Sequence, residues 1–168
     1  LSPSYRSRLV ANAARAGVSA ADRRAAVGEA GRLVSELPRL WLRPVDRPIA
    51  DPVCWDGLET LRALLDQGCG LVLLTPHLGS FEVSAQAYAE HFGQHQPITV
   101  LYRPARKRWL RELEETARAR PALATAPATL AGVRQMLRAL KRGETVGLLP
   151  DQVRSEERRV GKECATLC

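Results

Sequence analysis

Apolar residues recur at helical spacing through the first forty positions: Leu9, Val10 and Ala13, then Ala26, Val27, Ala30, Leu33, Val34, Leu37, Leu40 and Trp41. This spacing predicts two helices broken near Gly17-Val18-Ser19, with Pro38 a kink or stop. A linker containing Pro and Asp follows over 44–53. From Trp55 the pattern becomes a regular alternation. Leu58, Leu61, Leu64 and Leu65 share one face of a helix predicted over 55–67, and 70–75 is a short continuous apolar run of the kind a strand buried on both faces shows. The same reasoning predicts helices over 80–92, 106–120 and 129–142 and strands over 97–102 and 145–149. Strands alternating with helices predict an α/β sheet covered on both faces, with a helical segment before it.

Composition narrows the class. The chain has 168 residues, 45% hydrophobic and 26% charged, enough for one domain with a real core. Its 25 Lys and Arg outweigh 18 Asp and Glu, and the net charge of +7 suits an anionic partner: nucleic acid, a phospholipid surface or an acidic carrier protein. Aromatic residues are few and no basic stretch interleaves them, which argues against nucleic acid. No run has the length of a transmembrane helix, and the start, without Met or a signal sequence, reads as an interior cut. Cys54, Cys69, Cys164 and Cys168 lack the paired spacing of a zinc site and imply no disulfide framework, while Gly93 interrupts His91 and His95 as a metal pair.

Three polar signals follow three predicted strands: Pro76-His77, Arg103-Pro104 and Pro150-Asp151-Gln152. Ligands of open α/β sheets collect at such strand ends. His77 sits in a turn just before a helix, from which its ring can fold back towards Glu82; a carboxylate on one ring nitrogen would leave the other to take a proton from a hydroxyl. The plainer alternative is that His77 caps the helix and Glu82 is a first-turn acid favoured by the helix dipole. For Arg103 a surface arginine at a strand end is the commoner reading and a phosphate clamp the sharper one, and Asp151 is a turn residue or N-cap, or else a site carboxylate. Arg103, Arg106, Lys107, Arg108 and Arg111 form the densest basic cluster, either a solvated helix face or a landing site for anionic headgroups or an acidic carrier.

The stretch "TPHLGSFE" resembles the H-x4-E signature of the lipid A biosynthesis acyltransferases, the lauroyl and myristoyl transferases. "ITVLYRP" and "RALKRGETVGLLPDQ" resemble that family's next blocks, in order, so that the resemblance covers about residues 35–153. It implies a helix-covered mixed sheet of the glycerolipid-acyltransferase-like type, with 1–43 as N-terminal helices and 44–153 as the catalytic portion. It also implies transfer of a fatty acyl chain from acyl carrier protein to a hydroxyl of a phosphorylated glucosamine lipid, at the cytoplasmic face of the inner membrane. His77 would be the base and Glu82 its orienting partner. Arg103 would bind phosphate or polarise the thioester, and Asp151 would support the site. Direct attack is expected, with no cofactor and no metal. Two other readings remain open at this point: acylation of a mannosylated phosphatidylinositol, and a non-catalytic module that binds anionic membranes.

The chain departs from the family at both ends. The family's N-terminal membrane anchor is absent, as expected of a chain that begins inside its gene. At the other end, "RSEERRVGKEC" (154–164) is what one frame of a common short-read sequencing adapter encodes. Genuine sequence is therefore expected to end near Val153, with 154–168 an artefactual or disordered tail. Arg154, Arg158, Arg159 and Lys162 against Glu156, Glu157 and Glu163 give the tail a net +1, so the remainder keeps +6. A truncated chain of this kind is expected to have an open sheet edge and to transfer weakly or not at all.

Overall fold

A computed structural model describes residues 3–49 and 53–151; the adapter-like tail lies outside the described residues. The chain divides into two compact units, one ending at Arg39 and the other starting at Leu40. The first holds α1 (Pro3–Arg15) and most of α2 (Ala20–Trp41). Gly17, at φ 71°, takes the left-handed conformation that ends a helix without a Cβ penalty. Ser19 then starts the next one, its Oγ accepting from the Asp22 N–H at 3.0 Å and donating to the Asp22 carboxylate at 2.6 Å. Pro38 does not stop α2, which runs on to Trp41.

The second unit is the α/β fold anticipated. Its order is α3 (Leu58–Leu65), β1 (Leu71–Leu74), α4 (Phe81–Phe92), β2 (Ile98–Tyr102), α5 (Arg108–Arg118), β3 (Leu123–Pro127), α6 (Leu130–Lys141) and β4 (Thr145–Leu148). The strands lie in the order β1-β4-β2-β3. The anticipated mixed sheet is corrected here: all three pairings among the described strands are parallel. Each strand is joined to the next through a helix, a connection that delivers every strand in the same direction. β3 was not anticipated at all. "LATAP" has little β propensity, but its five residues pair in register with β2, and its proline is tolerated at the end of an edge strand.

Alternation along the strands divides the core. Ile98, Leu123 and Leu73 face α3 and α4, packing with Tyr88, Phe92, Leu61 and Leu65. Val146 and Ala126 face the other way and pack under Met136 and Ala139 of α6. Polar clamps hold the segment after α2. Arg43 donates to Gln86 at 2.9 Å and to Glu90 at 2.8 Å, Glu90 also accepts from the Ile49 N–H at 2.7 Å, and Arg120 donates to the Arg43 carbonyl at 2.7 Å. Burial first, then the charge of Arg43, pulls the Arg120 guanidinium below its ordinary value, and Glu90 offsets this.

α6 approaches β3 through a glycine. Thr129 caps the helix, its Oγ1 accepting from the Gly132 N–H at 3.3 Å, and a Cβ at position 132 would overlap the Pro127 carbonyl. Backbone on both sides leaves no flexible atom to give way. Gly132→Ala is therefore expected to destabilise the protein by about 1–3 kcal/mol or more; a urea midpoint equal to wild type would contradict this packing.

Candidate active site

Parallel pairing makes the chain leave β1 and β4 side by side. The ladder runs from Leu71↔Thr145 to Leu74↔Leu148 and extends one step further, the Thr75 N–H donating to the Leu148 carbonyl at 3.0 Å. Pro76-His77 and Pro150-Asp151 therefore emerge together. Asp151 grips His77 twice: one carboxylate oxygen accepts from the His77 backbone N–H at 2.7 Å, and the other lies 2.6 Å from the ring Nδ1. The Phe81 ring, edge-on at 5.0 Å, backs the imidazole.

This geometry dictates a tautomer. A carboxylate can only accept, so Nδ1 carries the proton and Nε2 is left with a lone pair. The His77 ring bond, then the backbone bond, holds the Asp151 carboxyl below the usual carboxylate range, which keeps it an acceptor at neutral pH.

The expected partner of His77 has another role. Glu82, in the first turn of α4, accepts from Arg118 of α5 at 2.5 Å, and both side chains are largely buried, at 11% and 17% exposure. Glu114 stands 3.8 Å from the same guanidinium, whose carbon lies 5.7 Å from the centre of the Tyr102 ring. Asp151 already occupies Nδ1, and a largely buried carboxylate is stabilised more by a full positive charge than by a neutral ring. His77 and Asp151 thus touch, while Glu82 and Arg103 line a cavity of about 290 Å³ with His77, Tyr102 and Arg118. Arg103 itself is exposed. Arg118 escaped sequence reasoning because it sits in a charge-rich helix with nothing local to set it apart.

A second cavity adjoins the first and shares Phe81, Ala85, Val100 and Leu149 with it. It measures about 510 Å³, well within the range of small-molecule sites, and Leu73, Tyr88, Ile98 and Gly147 contribute to an almost wholly apolar lining. Among the described residues no cluster of three or more His, Cys, Asp or Glu could hold a metal.

The parallel α/β domain holds a histidine tautomer at its strand ends, on the wall of an arginine-lined cavity that adjoins an apolar one. The family model described as bacterial lipid A biosynthesis acyltransferase matches residues 19–161, and the chain belongs to that family. No curated protein matches it significantly. The family is one of acyltransferases of lipid A synthesis, which act with an acyl donor and a lipid acceptor.

The Asp151 contact has a pH signature. Because its folded pKa is depressed, the stabilisation is present above the unfolded value of about 3.9 and disappears as pH falls through the folded value. Asp151→Asn should therefore lower stability at neutral pH, and the gap to wild type should close in acid. Urea unfolding across pH checks this, and a gap that persists undiminished at low pH would contradict it.

Proposed function

We propose that the protein carries the catalytic portion of an enzyme that moves a fatty acyl chain from acyl carrier protein to a hydroxyl of a phosphorylated glucosamine lipid, the lipid A precursor. The observation that carries this reading is the His77–Asp151 pair, which leaves Nε2 its lone pair, on the wall of an arginine-lined cavity that adjoins an apolar one. Nε2 takes the proton as the acceptor hydroxyl attacks the thioester carbonyl carbon. As the tetrahedral intermediate collapses, the carbon–sulfur bond breaks and the imidazolium returns the proton to the departing thiolate, so ester and thiol leave together. Asp151 orients the ring and stabilises the imidazolium.

The apolar cavity suits the acyl chain, and the guanidinium groups of Arg103 and Arg118 suit phosphate or the developing oxyanion. Glu82 acts in this scheme by holding Arg118. The net charge of +7 favours both an acidic carrier protein and a phosphorylated acceptor. No helix among the described residues is long and apolar enough to cross a membrane. We place the reaction at the cytoplasmic face of the inner membrane, where the exposed basic residues Arg103, Arg106, Lys107 and Arg108 favour an anionic surface.

The test is transfer from labelled acyl carrier protein to a lipid A precursor by the parent protein. His77→Ala should lower the rate by ~10²–10⁴-fold, the contribution of a positioned general base. An equal rate in the variant would remove His77 from the chemistry. Absence of transfer by wild type to this acceptor would refute the reaction as written.

A further inference from the structure

The larger cavity meets the β4 segment at Gly147 and at Leu149 just after the strand. Leu149, at the His77 end, lines both cavities. At the amino end of the strand stands Thr145, whose Oγ1 lies 2.7 Å from the Tyr88 hydroxyl. Tyr88 lines the cavity and is 2% exposed, and its burial raises its pKa, so the hydroxyl pair is neutral behind the cavity wall. Four residues at ~3.3 Å each put about 13 Å of backbone between Leu149 and Thr145.

Gly147 lies midway. It is buried, it alternates onto the same face of β4 as Thr145, and its in-register neighbour on β2 is Val100. A Cβ at position 147 would stand 3.1 Å from Val100 Cγ1 and 3.4 Å from Ile98 Cδ1, and both of those residues line the cavity. A side chain at 147 would crowd Val100 and Ile98 and take volume from the cavity that all three residues line. A glycine inside a strand weakens it, offering no side chain to pack, so its presence here calls for a reason. Open volume supplies one.

We propose that Gly147 and Val100 set the length of acyl chain the protein accepts: Gly147 by leaving the cavity open at mid-depth, Val100 by narrowing it from the adjacent strand. The identity of the ligand as an acyl chain rests on the proposed transfer; the constriction rests on the geometry.

Thermal unfolding in the presence of free fatty acids of graded length tests it, because a ligand that binds the folded state raises its stability by mass action. For wild type the stabilisation should grow with chain length and then stop. Gly147→Ala should move that limit to shorter chains and weaken binding of the wild-type limit chain roughly tenfold or more. Val100→Ala should move the limit to longer chains, and the double variant should return it towards wild type. Val100→Ala introduces no overlap, so it carries the test should Gly147→Ala fail to fold. Equal limits in all the proteins, or no stabilisation of wild type by any chain, would overturn the proposal. Acyl transfer measured with the same substitutions placed in the protein used for the transfer test above separates the two readings. Limits that move as stated without any transfer uphold the constriction and refute the function; transfer with unmoved limits does the reverse.

Discussion

Parallel pairing of β1 with β4 is the constraint on which the site depends. Antiparallel neighbours would send the two chains out at opposite ends of the sheet. Parallel ones, in register from Leu71↔Thr145 to Leu74↔Leu148, bring His77 and Asp151 together across 74 residues of sequence. The carboxylate then binds the backbone and the ring of the same residue, so it fixes where the histidine lies as well as which nitrogen carries its proton. Both residues sit at the ends of elements whose cores are packed, which gives the site a rigid base.

Two carboxylates near one histidine have separate tasks, and their surroundings decide which is which. Asp151, in a turn at the strand end, meets the imidazole. Glu82, largely buried in the first turn of α4, meets the full charge of Arg118. The second pairing ties α4 to α5 and presents a guanidinium to the same cavity that His77 lines. In the proposed reaction these groups serve as a base, an anion-binding wall and an apolar recess.

Much of the fold was legible locally. The apolar runs over 70–75, 97–102 and 145–149 each contain an observed strand, but the run at 70–75 is not buried on both faces as expected: β1 lies at the sheet edge and leaves Val72 and Leu74 exposed. Leu58, Leu61 and Leu65 marked the face of α3 that packs on the core. β3 was illegible because its five residues become a strand only through pairing with β2, and Pro38 misled because a proline late in a helix can be accommodated. In the site, His77 and Asp151 stood out as polar residues after apolar strands. Their contact did not, since it follows from β4 inserting between β1 and β2, a strand order with no local signal. Sequence proximity favoured Glu82 instead. Gly147 gave no sign of its position facing a cavity until Val100 and Ile98 were placed beside it.

The central claim is that Asp151, and not Glu82, holds His77 in the tautomer with its proton on Nδ1. Ring-nitrogen NMR of His77 at a pH where the ring is neutral measures this directly, in wild type, Asp151→Asn and Glu82→Gln. The account predicts a protonated Nδ1 in wild type that survives Glu82→Gln and gives way to a mixture of tautomers in Asp151→Asn. A tautomer indifferent to Asp151, or one lost with Glu82, would contradict it.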